Sequence, residues 1–133
     1  MKEVDAEVIV VGAGNAALCA ALAAREHGAR VLVLEAAPEE ESGGNSRYTA
    51  GLYRIPYTSL KELEQIIPDL SADEKENSDF GHYTRENFFD DMARVTQYRA
   101  NPDLVEIMVN QAHETGVWMR SKGVRFLPAY GRQ

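Results

Sequence analysis

Six residues near the N-terminus, Gly12-Ala13-Gly14-Asn15-Ala16-Ala17, follow the spacing G-x-G-x-x-A, and an acid, Glu35, stands 23 positions after Gly12. Each residue type suits the binding of a dinucleotide. Glycine at the first position allows a tight turn, glycine at the third lets backbone approach a pyrophosphate, and a small sixth residue lets the next helix lie close on a sheet. Unpaired amides and the positive end of the helix dipole then favour the anion. A carboxylate about 20 residues further on accepts hydrogen bonds from both hydroxyls of an adenosine ribose and repels a 2′-phosphate, which disfavours NADP. A second run of small residues follows, Gly43-Gly44-Asn45-Ser46 and then Thr49-Ala50-Gly51. Successive small residues let backbone amides reach a ligand that bulky side chains would block. The fingerprint by itself leaves FAD and NAD both open.

The elements around these residues have the order such a site requires. Residues 7–11, EVIVV, form an apolar, β-branched run that predicts a strand buried on both faces of a parallel sheet. Residues 15–27 are rich in Ala and Leu and predict a buried helix ended by Gly28. Residues 30–34, RVLVL, repeat the strand pattern and end at Glu35. The fold class expected is therefore α/β, a Rossmann-like dinucleotide-binding βαβ unit with an incomplete parallel sheet and a right-handed crossover, followed by an α-helical segment. In that segment Leu60, Leu63, Ile66 and Ile67 predict a short helix. Thr84 caps a helix with Phe88, Phe89, Met92 and Val95 on its apolar face. Asn101-Pro102 opens a longer helix to Lys122, with Leu104, Ile107, Met108, Ala112, Thr115, Trp118 and Met119 in period and Gly116 as an interruption. Residues 124–127 read as the start of another strand.

The charge balance narrows the partners. Of 133 residues, 14 are Lys or Arg and 21 Asp or Glu, a net charge of -7 that repels phosphate backbones and argues against nucleic acid. Ten acids and three bases between Lys61 and Asp91 account for all of that charge. Within that stretch, 68–82 lacks apolar periodicity and predicts a solvated loop. The single cysteine, Cys19, excludes an intrachain disulfide and suits a reducing compartment. With no secretory signal and no apolar stretch of about 20 residues, the expectation is a cytoplasmic protein without a transmembrane segment.

Glu35-Ala36-Ala37-Pro38, Gly43-Gly44-Asn45-Ser46 and Thr49-Ala50-Gly51 together resemble the fumarate reductase and succinate dehydrogenase flavoprotein family. The run GNAALCAALAARE followed by LEAAP and GGNS is most similar to its tricarballylate dehydrogenase branch. The resemblance covers residues 5–55 and continues weakly through 102–122, where Trp118 to Val124 match a W-x-x-x-x-G-V pattern. It implies FAD as cofactor, with Gly12, Gly14, Asn15 and Ala16 at the pyrophosphate and Glu35 at the ribose. Ala36 and Ala37 would lie at the adenine edge, Gly44, Asn45 and Ser46 at the phosphates or ribityl chain, and Thr49, Ala50 and Gly51 near the flavin. Residues 43–52 contain no histidine at the place where relatives bond covalently to the flavin, which implies non-covalent FAD. Arg54 departs from the small residues of many relatives. The activity implied is hydride transfer between flavin and a small carboxylate substrate such as tricarballylate, with an electron-transfer partner possible. The alternative class is a nucleotide-binding module without chemistry of its own.

The division expected is 1–58 as the N-terminal part of the FAD-binding domain and 59–133 as a mostly helical continuation toward a substrate domain. The family's proton-donating and substrate-clamping residues fall in a part this chain lacks, so the catalytic residues are unknown and the chain is expected to be a piece of a longer protein. Other residues read as structural. His27, His82 and His113 lie far apart, and His113-Glu114 lacks the second histidine of a zinc helix, so no metal site is expected. Cys19 reads as a small apolar filler, Asp90-Asp91 as a solvated acidic face, and Phe88, Phe89 and Met92 as packing residues.

Overall fold

The computed structural model describes residues 5–129. These fall into two compact units, one ending at Leu52 and the other beginning at Tyr53.

In the first unit β1 (Val8–Val11) leads into α1 (Asn15–Glu26) and then β2 (Val31–Leu34). The strands pair in parallel, Val8 opposite Val31 through Val11 opposite Leu34. A parallel pair needs a crossover, and α1 provides it, packing on both strands. Where α1 ends, the His27 amide bonds back to Ala23 and Ala24. Gly28 then takes φ +85°, the left-handed conformation that reverses the chain. The strand and helix boundaries match the expected ones to within a residue. Their burial does not. Ile9 is 59% and Val11 83% exposed, and only Ala21 of α1 is buried, with Leu18 and Leu22 open to solvent. Side chains alternate across a strand, so the apolar run puts alternate residues on a face that nothing in this unit covers.

The second unit is helical: α2 (Leu60–Ile66), α3 (Ala72–Asn77), α4 (Arg85–Thr96) and α5 (Pro102–Ser121). Side chains cap all four, Ser59, Ser71, Thr84 and Asn101 each accepting from first-turn amides. Its core is Leu63, Ile66, Ile67 and Leu70, with Ile55, Tyr57, Phe80, Val117 and Phe126 packed against them. Tyr57 and Tyr83 form an antiparallel bridge, with amide-to-carbonyl distances of 2.8 and 2.9 Å.

Three expectations are corrected here. The loop expected at 68–82 contains α3, a helix with no buried residue, closed by a capping box between Ser71 and Glu74. Apolar periodicity cannot reveal an all-polar helix, but the S-x-x-E spacing can. Residues 124–127 form no strand; Phe126 instead packs into the core and edge-on to Tyr53. On α5 the buried ridge is Val109, fully buried, and Gly116, whereas Leu104, Ile107 and Met108 are exposed. Gly116 is therefore no interruption. A Cβ there would come 2.8 Å from Ile55 Cδ1, so the missing side chain is what admits Ile55.

Candidate dinucleotide-binding site

The fingerprint turn follows directly from β1. Gly12 has φ +106° and its amide donates to Leu34 O at 2.6 Å, which ties the turn to the end of β2. A residue with a Cβ is strained at that dihedral. Gly14 is different. As the N-cap of α1 it has φ -77°, which any residue adopts. A Cβ there would stand 3.4 Å from Gly43 O and 3.5 Å from Ser46 Oγ, in ordinary contact, so a larger side chain is what the space does not admit. The neighbour that limits it is the second glycine-rich motif.

That motif arrives as a 3-10 turn, Gly44–Tyr48, entered through Gly43 at φ +107° and Gly44 at φ +54°. Ser46 Oγ accepts from the Asn15 amide at 3.0 Å, so a residue 31 positions away caps α1, for which Gly14 offers no side chain. Asn45 lies in the same turn. The guanidinium of Arg47 donates to the Glu40 carbonyl. Thr49 Oγ1 donates to Ser46 O at 3.0 Å and accepts from the Gly51 amide at 3.3 Å. It thereby steadies Ala50 and Gly51, both left-handed at φ +54° and +68°.

Glu35 closes the constellation. Its Oε2 accepts from the Ala13 amide at 2.8 Å and its Oε1 from the Ala37 amide at 2.9 Å. Those amides, Ala37 first and Ala13 next, with a smaller contribution from Ala36, hold the carboxyl below the usual carboxylate range. Glu35 is thus ionised at neutral pH, and each oxygen keeps a lone pair for a further donor. Sequence reading missed this holding role, which has no local signal because Ala13 lies 22 residues away.

These residues fit a dinucleotide. Ala16 and Ala17, in the first turn of α1, have amides without intrahelical acceptors, Gly14 leaves the backbone bare, and Glu35 offers acceptors suited to a diol. The set can bind an anion and a ribose. None of its side chains is placed as an acid or base for a substrate.

Cys19 is half-buried. No group of three or more His, Cys, Asp or Glu among the described residues could hold a metal ion. No helix among them is long and apolar enough to cross a membrane. Asp91 departs from the expected solvated face: it accepts from Arg54, from Tyr83 at 2.8 Å and from Arg94 at 2.7 Å. His113 joins α5 to Pro56 O at 3.2 Å and Gln65 Oε1 at 3.1 Å.

A parallel βαβ unit with this turn defines the class, a mixed α/β protein with a dinucleotide-binding arrangement. The family follows from comparison: the profile of the FAD binding domain matches residues 7–132, and the chain belongs to that family. FAD is the cofactor it binds. A vinyl phenol reductase of Lactiplantibacillus plantarum is 34% identical over 120 residues, 90% of this chain and 21% of that protein. A cytochrome-type fumarate reductase of Shewanella frigidimarina is 27% identical over 119 residues, 88% of this chain and 18% of that protein. An NADH:fumarate oxidoreductase of Klebsiella pneumoniae is 25% identical over 118 residues, 89% of this chain and 11% of that protein. The chain thus spans about a fifth or less of the curated relatives it matches. No solved structure matches it.

Proposed function

We propose that this chain is the FAD-binding N-terminal portion of a flavin-dependent oxidoreductase that moves a hydride between flavin and a small carboxylate. The observation that carries this is the convergence of two glycine-rich motifs and one acid. Ser46 reaches the first amide of α1, Gly14 leaves room for Gly43, and Glu35 ties the fingerprint turn to β2. Gly12, Gly14, Asn15 and Ala16 serve the pyrophosphate, and Glu35 with Ala36 and Ala37 the adenosine. Gly44, Asn45 and Ser46 serve the phosphates or ribityl chain, and Thr49 to Gly51 the flavin. Bound FAD supplies the hydride chemistry; the residues described here bind and orient it.

Residues 1–58 belong in this reading to the cofactor domain and 59–133 lead toward a substrate domain, in a cytoplasmic protein that exchanges electrons with a partner, in a direction this reading leaves open. The matched relatives are named fumarate and vinyl phenol reductases, and their names lend no support to tricarballylate. A fumarate-class dicarboxylate is therefore the first substrate to test. FAD is held without a covalent bond, since residues 43–52 contain no histidine.

The test is to load the protein with FAD and remove free cofactor. The expected result is flavin absorbance near about 450 nm, as for a cofactor carrying hydride chemistry, and its release into the supernatant on acid or heat denaturation. A colourless protein overturns the FAD reading, and colour that stays with the precipitate overturns the non-covalent one.

A second reading, a nucleotide-binding module with no turnover of its own, is favoured by the lack of any placed acid or base among the site residues. Dye reduction by the 133-residue chain given FAD and succinate, well above free FAD, would exclude it.

A further inference from the structure

Arg54 is a residue for which the cofactor site has no use, yet its guanidinium is held from two sides. Nη1 donates to Asp91 Oδ2 and, at 3.2 Å, to Tyr83 Oη. The guanidinium carbon also lies 5.8 Å from the Tyr83 ring centroid, within cation–π range. Both partners are fixed in turn. Tyr83 is anchored by its backbone bridge to Tyr57 and a ring contact with Phe88, and its hydroxyl donates to Asp91 at 2.8 Å. Asp91 Oδ1 accepts from Arg94 at 2.7 Å.

Two features of this cluster point to an anion. Both hydrogen bonds of Arg54 use Nη1, and no described residue bonds its Nε or Nη2. Those two atoms form the edge whose parallel N–H groups match a carboxylate bidentately. The charge count points the same way: two guanidiniums face one carboxylate, leaving a surplus of one positive charge within the cluster. The Arg54 side chain is 57% exposed, so a ligand can reach it.

We propose that Arg54 is a specificity-determining residue, held by Asp91 and Tyr83 so that its free Nε and Nη2 edge takes a carboxylate of the substrate. The substrate role rests on the proposed function. Lysine would keep the charge but lose the fork, and a substrate without a carboxylate would gain nothing from the site.

The test titrates succinate into the 133-residue chain and follows the arginine Nε–H signals by nuclear magnetic resonance, with sodium chloride at matched ionic strength as the control. The expected result is a saturable shift of the Arg54 signal with succinate and none with chloride. Arg54→Lys should weaken succinate binding about ten-fold, the loss of one charge-assisted bidentate contact. Asp91→Asn should weaken it by a smaller factor while the Arg54 signal still responds. A silent Arg54 signal, an equal response to chloride, or binding by Arg54→Lys within about two-fold of the parent overturns the proposal. If a variant fails to fold by circular dichroism, the response of the parent chain decides alone. FAD binding is read in parallel by fluorescence quenching. A silent Arg54 in a chain that binds FAD removes this proposal only, whereas a chain that binds no FAD removes the reading that gives the carboxylate its role as substrate.

Discussion

The amide of Ala13 donates to Glu35 Oε2 at 2.8 Å, so the acid that ends β2 is bonded to the turn that follows β1. The other oxygen takes the Ala37 amide at 2.9 Å. Glu35 therefore shapes the fingerprint turn, and under the proposed function it has a second duty, presenting acceptors to a ribose. Removing it should disturb the turn even before a ligand is added.

Acid should reveal the first duty. Because the backbone amides lower the Glu35 pKa in the folded chain, its contribution is fully present above the ordinary carboxylate value of about 4.3 and is lost as pH falls through the lowered folded value. The amide resonances of Ala13 and Ala37 should move together over that acidic window. In Glu35→Gln both should be insensitive to pH there. Independent movement of the two signals would mean that no shared carboxylate holds them.

The second duty predicts a binding loss. Glu35→Gln should weaken FAD binding about ten-fold or more, since a neutral amide replaces a charged acceptor. Glu35→Lys should lower it further by setting a cation against the ribose hydroxyls. Flavin fluorescence titration measures both, and equal affinity in all three proteins would remove Glu35 from the ribose site.

Gly14 should tolerate one carbon and not three. An alanine Cβ would make ordinary contacts, 3.4 Å to Gly43 O and 3.5 Å to Ser46 Oγ, whereas the two further carbons of valine must press on the glycine-rich turn. Gly14→Val is expected to cost about 1–3 kcal/mol, in the range of overpacked sites, and to abolish FAD binding. Gly14→Ala should keep measurable binding. Denaturant melts and FAD titration of the pair check this order.

Ser46 caps α1 from a distance, so Ser46→Ala should cost about 1 kcal/mol, as for an ordinary N-cap. Ser46→Thr, which keeps the hydroxyl, should recover most of it. Hydrogen exchange at the first turn of α1 offers a local readout; unchanged protection of the Asn15 amide in the alanine variant would contradict the capping bond.

Gly116 gives a sign that depends on size. Alanine gains about 1 kcal/mol of helix propensity against a contact at 2.8 Å with Ile55 Cδ1, the movable end of a side chain, so the net change should lie near zero. Leucine has no such room and should cost about 1–3 kcal/mol. A thermal melt of both variants distinguishes this from an exposed helical glycine, where both substitutions would stabilise.

The sequence by itself determined the local elements and the chemistry they could serve. The β-branched runs before Gly12 and Glu35 and the caps at Thr84 and Asn101 are short-range signals, because propensity, capping and turn geometry act within a few residues. Tertiary structure decided what meets across long separations. It set Ser46 on the Asn15 amide, Ala13 on Glu35 and Arg54 on Asp91, pairs 31, 22 and 37 residues apart with no local signature. It also decided which side of a periodic helix is inside. On α5 the larger side chains of Leu104 and Ile107 suggest one face, yet Val109 and Gly116 are buried, and at Gly116 it is the missing side chain that lets Ile55 and Ile66 pack closely. Periodicity identifies that a helix has an apolar side, but the shape of the neighbour selects which residues form the contact.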